Sequence, residues 1–328
     1  MLQIETGKPG KFFHWIKSII KNKLFGYPYL AIVETGNICN IHCATCPTPH
    51  ERLGRPKENM SLENLKKIID NIKDDVHVVL LYNTNEPLLN PNLGEMIAYA
   101  NGKNLYTMIS TNATLLDAKR RDEIFKSGLD EILVCLDGTT KESYEAFRVG
   151  ANFETVKQNI ADLCREKKEK GYKKPFIELQ FILNRLNQDE VPEIQRLSAE
   201  WGVDRLHIKS FALGEYIYSK EEIRAMGEKF LPTTEKYGKV TYNKSDQGII
   251  SMRRKREKNW YCRLARDHAV VLVDGRLAMC CYDIKGEYVY GNLLEKNLKE
   301  IWFSEEVKKR RKAAEEGRYP LCNVCGEY

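Results

Sequence analysis

Residues 29–46 read YLAIVETGNICNIHCATC: an apolar run from Tyr29 to Val33, a polar corner, then Cys39, Cys43 and Cys46 within eight positions. A short apolar run closed by glycine and polar residues reads as a strand buried on both faces, the form strands take in parallel sheets. The pattern recurs in HVVLLYNTN (77–85), LYTMISTN (105–112), EILVCLDG (131–138), FIELQFILN (176–184) and RLHIKSF (205–211). With YLAIVETGN (29–37) it predicts six strands, and the segments between them carry helical periodicity. In SLENLKKIIDNIKD (61–74), Ser61 is placed as an N-cap, and Leu62, Leu65, Ile68, Ile69 and Ile72 share one stripe. Strands alternating with helices predict an α/β fold in which a parallel sheet curls into a partial barrel.

Each predicted strand turns polar where it ends, at Asn37 and Cys39, Asn85 and Glu86, Ser110 and Asn112, Asp137, Asn184, and Lys209. Ligand sites of parallel α/β folds lie at the carboxyl ends of the strands, so these residues are expected to converge on one mouth. The cysteine triplet then belongs to an active site.

The 328 residues carry 52 Lys and Arg against 46 Asp and Glu, a net charge of +6 that does not by itself call for nucleic acid. Basic residues gather in RRKREK (253–258) and KKRRK (308–312), read either as solvated faces or as docking sites for an acidic redox partner or a phosphorylated substrate. The N-terminus, MLQIETGKPGKFFHW, lacks an export leader, and no apolar run reaches the 18 or so residues of a spanning helix. The expected compartment is the reducing cytoplasm. The ten cysteines then read as metal ligands, catalytic thiols or core filler.

Four regions are expected: an amphipathic segment at 1–28, the barrel at 29–215, a basic connecting region at 216–258, and a small C-terminal domain at 259–328. The last contains a hairpin candidate, HAVVLVDGRLAMCCY (268–282), with Asp274-Gly275 as its turn. In the first, Phe12, Phe13, Ile16, Ile19 and Ile20 oppose Lys17 and Lys21. Residues 11–30 either pack on their own domain or make a weak membrane-surface contact.

Three thiolates on one loop are soft ligands of the kind that iron–sulfur clusters select, and a cubane with three ligands keeps one iron open. The bland alternative is zinc with a distant fourth ligand. The C-x3-C-x2-C spacing after the first strand resembles the radical S-adenosylmethionine enzymes, which build a partial (β/α)6 TIM-like barrel. The resemblance implies that Cys39, Cys43 and Cys46 hold a 4Fe-4S cluster whose open iron chelates S-adenosyl-L-methionine. Reductive cleavage then yields a 5′-deoxyadenosyl radical that abstracts hydrogen from substrate. NTNEPLLNP sits where the family has Gly-Gly-Glu-Pro, so Glu86 matches the acidic residue that receives the cofactor's ammonium, with Asn85 beside it. Ser110, Asn112, Asp137 and Arg148 match positions that line the cofactor site. Two departures are Thr84 and Asn85 in place of the glycines, and Thr45 where an aromatic often covers adenine.

Cys262, Cys280, Cys322 and Cys325 form a second set, C-x12-G-x4-C followed by C-x2-C, with Gly275 turning the hairpin. The spacing resembles the opening of a SPASM extension in its shortened twitch form. It implies one auxiliary 4Fe-4S cluster, two clusters per chain in all; a four-cysteine zinc site has similar spacing. A closed cluster leaves electron transfer or structural support as its role. Of the remaining thiols, Cys164 reads as core, while Cys135 or Cys281 is either buried filler or a hydrogen-atom donor to a substrate radical.

The expected activity is oxidation or epimerisation of a small polar molecule (a sugar, aminocyclitol or nucleotide-sugar), with a flavodoxin or ferredoxin-type reductant as partner. The alternatives are a maturase acting on a ribosomally made peptide and a non-enzymatic electron carrier. The 38 residues before Cys39 are too few for the leader-binding domain such maturases often carry.

Overall fold

The computed structural model describes residues 9–211, 213, 217–233, 242–244, 250–252, 262–323 and 325. Six parallel strands form where they were expected: β1 (Leu30–Val33), β2 (Val78–Leu80), β3 (Tyr106–Thr111), β4 (Glu131–Cys135), β5 (Phe176–Leu183) and β6 (Arg205–Ser210). Side chains alternate across the sheet, as the period of a strand requires. Ala31, Val33, Val79, Ile109, Ile132, Val134, Leu179 and Phe181 enter the main core, while Leu30, Ile32, Val78, Tyr106, Met108, Leu133 and Cys135 point to the opposite, barrel-facing side.

The predicted hairpin forms as β7 (His268–Val271) and β8 (Arg276–Ala278), followed by β9 (Val289–Asn292). It is no appendage. β7 pairs in parallel with β1 over four residues, from Leu30 with His268 to Val33 with Val271. One nine-stranded sheet results, in the order β9-β8-β7-β1-β2-β3-β4-β5-β6.

The helices, taken in chain order, begin with α1 (Pro9–Phe25) and α2 (Leu62–Ile72). In α2 the Ser61 hydroxyl accepts from Asn64 N–H, and Leu65, Ile68, Ile69 and Ile72 are buried, as the stripe predicted. Next come α3 (Leu93–Gly102), α4 (Ala118–Ser127), α5 (Lys141–Phe147), α6 (Phe153–Glu169) and α7 (Val191–Trp201). The region expected only to connect also contains a helix, α8 (Lys220–Phe230), started by a reciprocal capping box between Ser219 and Glu222. The basic run 253–258 lies outside the described residues.

The C-terminal helices are α9 (Arg263–Asp267), α10 (Leu298–Trp302), α11 (Glu305–Glu315) and the short α12 (Pro320–Asn323). The run 308–312 falls on α11 and is only partly solvated. Arg311 is buried with its guanidinium 3.8 Å from the Trp302 ring centroid, and Arg310 donates to Val289 O at 2.8 Å. Arginine stems pack as apolar surface, which a charge count does not register.

Candidate active site

The cysteine loop is fixed from below and from the side. Its two residues His42–Cys43 pair antiparallel with Arg148–Val149, which brings Arg148 Nη1 to 3.7 Å from Cys43 Sγ. Arg148 also donates through Nε to Asp137 Oδ2 at 2.7 Å, and Asp137 Oδ1 accepts from Ile182 N–H at 2.6 Å. Across the loop, Asn112 Nδ2 lies 3.8 Å from Cys39 Sγ and donates to Asn40 Oδ1 at 3.0 Å. Burial pushes the Cys39 thiol up, and pushes Cys43 up to about 12 against the opposing pull of Arg148.

Glu86 sits six residues past the end of β2, buried inside the mouth. Its Oε1 accepts from Leu88 N–H at 3.1 Å and Thr111 O–H at 2.7 Å, and its Oε2 accepts from Asn112 N–H at 2.8 Å. Burial raises this carboxyl above its usual range, and those three donors oppose the shift. Glu86 N–H in turn donates to Ile38 O at 2.9 Å, so the acidic residue and the cysteine loop are tied directly.

The residues that replace the expected glycines act as braces. Thr84 donates through its hydroxyl to Glu34 Oε1 at 2.6 Å and accepts Thr48 O–H at its carbonyl at 3.0 Å. Asn85 Nδ2 donates to Thr35 Oγ1 at 2.8 Å, so this predicted cofactor contact braces the strand end. Asn37 donates to Pro56 O at 2.6 Å and accepts from Glu58 N–H at 2.7 Å, closing the loop that follows the cysteines. Asn184 spends its side chain on its own turn, accepting Leu186 N–H at 2.9 Å. Of the strand-end residues, Glu86, Ser110, Asn112, Asp137 and the cysteine loop therefore meet, while Asn37, Asn85 and Asn184 hold loops.

Cys135 is buried below this mouth, 3.8 Å from Ser110 Oγ and 3.6 Å from Gln180 Nε2. Its thiol is pushed up by burial and drawn down by Arg148. Tyr82 packs on the same patch, and its phenol is raised by burial and by Cys135, Glu131 and Glu178. Tyr82 and the Glu131–Glu178 pair escaped the sequence reading. Glu131 and Glu178, polar positions within apolar strands, were the available signal. Glu131 accepts from Tyr106 O–H at 2.8 Å, and both carboxylates accept from the Arg205 guanidinium.

The second cysteine set converges. Cys262, Cys280, Cys322 and Cys325 line one pocket together with Met279 and Leu321. Cys281, one residue on, packs instead against Leu30, Ile32 and Val78, so successive cysteines of a strand end face opposite sides of the sheet. No disulfide joins any of the described cysteines. Among the described residues no three His, Cys, Asp or Glu side chains close on a point that would hold a single metal ion. A tetrahedral zinc gathers four thiolates at about 2.3 Å from one centre, whereas in an iron–sulfur cluster each thiolate takes its own iron. Both donor sets fit a cluster on ligand type.

Residues 33–197 match the family model described as the radical SAM superfamily, and residues 262–326 match SPASM, an iron–sulfur cluster-binding domain. Among curated proteins, the chain is 30% identical over 169 residues to Fe-coproporphyrin III synthase of Methanosarcina barkeri. That match covers 51% of this chain and 40% of the relative, less than half of the latter's length. Among solved structures, BtrN in complex with AdoMet and 2-DOIA superimposes with a TM-score of 0.54 at 17% identity, covering 91% of this chain and 92% of BtrN. Streptococcus suis SuiB bound to precursor peptide SuiA gives 0.64 at 12% identity, covering 95% of this chain and 72% of SuiB. At these identities the two structures speak for the fold alone.

Proposed function

This chain belongs to the radical SAM superfamily, and we propose that it abstracts a hydrogen atom from a small polar substrate (a sugar, aminocyclitol or nucleotide-sugar), ending in oxidation or epimerisation. The observation that carries this reading is the pair of unlike thiol sets, three on the mouth loop beside Glu86 and four around one pocket. In this reading Cys39, Cys43 and Cys46 hold one 4Fe-4S cluster, and Cys262, Cys280, Cys322 and Cys325 hold the auxiliary one. When bound, the first supplies the S-adenosylmethionine-derived 5′-deoxyadenosyl radical and the second an electron acceptor.

The chain's own residues divide the remaining work. Glu86 offers a buried carboxylate to the cofactor's ammonium, and Asn112 braces the loop that carries Cys39. The Arg148–Asp137 pair sets a fixed charge beside Cys43. Ser110, Gln180 and Tyr82 surround Cys135 below the mouth, where its S–H can return a hydrogen atom to a substrate carbon, the thiyl left behind being restored to S–H by one electron from the reductant and one proton from solvent. Inversion follows if that transfer occurs. Oxidation follows if the substrate instead loses a proton and an electron. The reading places the enzyme in the cytoplasm with a flavodoxin or ferredoxin-type reductant.

Peptide maturation is the second reading; SuiB, which shares this fold, is bound to a precursor peptide in its structure. Anaerobic reconstitution is expected to give about eight irons per chain if both clusters form, and reduction with S-adenosylmethionine to release 5′-deoxyadenosine. Deuterium from solvent entering a sugar product in the wild type, and lost in Cys135→Ala, marks epimerisation. Cofactor cleavage stimulated by a peptide and by no sugar sinks the small-molecule reading.

A further inference from the structure

The helix α1 is mounted with its polar side inward. Lys11 is buried and donates to Asp130 Oδ2 at 2.6 Å, His14 Nε2 lies 2.7 Å from Val76 O, and Lys21 pairs with Asp75 at 2.5 Å. Ser18 is buried, and Asn22 reaches Asp267 Oδ1 at 3.2 Å. The outer side is apolar: Phe12, Phe13, Ile16, Ile20 and Leu24 are exposed within about 120° of arc, with Phe13 at 69% and Leu24 at 71%, and Phe25 is exposed at the end of the helix. Among the described residues these are six of the seven exposed large apolar side chains, Val149 being the seventh. A contiguous apolar stripe of this kind on a soluble surface marks a contact.

We propose that the outer face of α1 is an interfacial anchor for an anionic lipid surface. Charge selects this occupant. The helix carries Lys11, Lys17, Lys21 and Lys23 and no acidic residue, and at about 100° per residue Lys17 falls just outside the stripe's edge at Leu24 and Lys23 just inside its edge at Phe12. Both lysines are exposed, and Lys17 has Asp74 at 4.0 Å as its counter-charge. Long lysine stems of this kind lie along apolar surface while their ammonium groups reach headgroups. A two-fold pairing with a second copy would instead set two all-cationic helices side by side. Among the described residues no helix is long and apolar enough to cross a membrane, so α1, about 25 Å long, lies along the surface.

The fold sets the orientation. Val76, Asp130 and Asp267, which hold α1, immediately precede or lead into β2, β4 and β7, so the helix covers the amino-terminal end of the barrel. Glu86, Asn112, Asp137 and the cysteine loop lie at the opposite, carboxyl end. An anchored molecule therefore turns its mouth away from the bilayer, toward substrate and reductant in solution.

The test is sedimentation of the full-length, cluster-loaded protein with phosphatidylcholine vesicles, with and without phosphatidylglycerol. Binding to the anionic vesicles is expected. The double variant Phe13→Ser, Leu24→Ser should weaken it about tenfold or more, and Lys17→Gln or Lys23→Gln about fivefold each. Iron content and circular dichroism should stay unchanged in all of them, because these side chains point outward. Equal binding to neutral vesicles, or an unaffected double variant, overturns the proposal. So does a dimer, seen by analytical ultracentrifugation without vesicle binding, that the double variant dissociates.

Discussion

Glu86 meets its three donors from its own turn, from the end of β3 and from the residue after it. A carboxylate has about four acceptor positions, so the bonds from Leu88, Thr111 and Asn112 leave one for an incoming ammonium. Glu86→Gln replaces one acceptor with a donor facing those groups. It is expected to lower S-adenosylmethionine affinity about tenfold or more and to cost about 1–3 kcal/mol of stability. Equilibrium dialysis and denaturant unfolding measure the two separately; unchanged affinity places the ammonium elsewhere. A second residue-scale prediction concerns His77, whose ring is buried with both nitrogens unpartnered and whose pKa is pulled down to about 4, chiefly by burial. The unfolded chain takes up this proton near pH 6.5 and the folded one only near 4, so stability falls as pH drops through that window. The loss is on the order of 3 kcal/mol. Urea midpoints at pH 7 and pH 4.5 should differ less in His77→Leu than in the wild type. The strand-end carboxylate and the thiols were legible because their chemistry shows in residue type and spacing. The buried pair of Glu34 and Arg55, a two-pronged bridge at 3.0 Å, was not, because nothing local marks which arginine a carboxylate meets.

The strands were legible as elements because six parallel strands buried on both faces leave continuous apolar runs. Two other elements show where such reading stops. The periodicity of α1 was plain, yet periodicity gives the angle between faces and not which one turns inward; three cationic or polar contacts decide that here. Helix α8 follows a weakly periodic stretch, and its reciprocal Ser219–Glu222 cap was the available signal. The hairpin turn was read correctly from Asp274-Gly275, and its geometry explains the glycine. Gly275 has φ of +85°, and an added Cβ would stand 2.6 Å from Leu294 Cγ. Gly275→Ala thus combines left-handed strain of about 1 kcal/mol with a clash. Because the hairpin carries Cys280, the variant should lose iron from the C-terminal site before the mouth loop does. Iron quantified per chain, beside the unchanged wild type, checks this; full retention at both sites means the turn relaxes at little cost.

At the scale of the molecule, the four-residue pairing of β1 with β7 joins the strand that leads into the radical SAM match, and ends inside it at Val33, to the segment that matches SPASM, in one sheet. Leu30, Ile32 and Val78 from the barrel share a buried cluster with Val270, Leu272 and Ala278 from the C-terminal segment. Glu34 adds a polar joint, accepting Val273 N–H at 3.0 Å while Arg55, bound to it, donates to Ile284 O at 2.7 Å. Burying a large aliphatic side chain contributes about 1.5–3 kcal/mol, so this seam is worth on the order of 10 kcal/mol before ordering costs. That rivals the whole stability of an ordinary domain, about 5–15 kcal/mol. Neither side can then open while the other stays folded, since opening removes the neighbour of β1 and uncovers the shared cluster. Urea unfolding of the metal-free protein followed by far-UV circular dichroism and, in a variant whose other three tryptophans are replaced by phenylalanine, by the fluorescence of Trp302, buried on the C-terminal side, should therefore trace a single coincident transition. Arg55→Ala leaves Glu34 buried with a smaller set of partners and should shift both traces together, by about 3 kcal/mol. Two separated transitions, or a shift in one trace only, would mean that the seam is weaker than its contacts imply and that the segments fold as independent units.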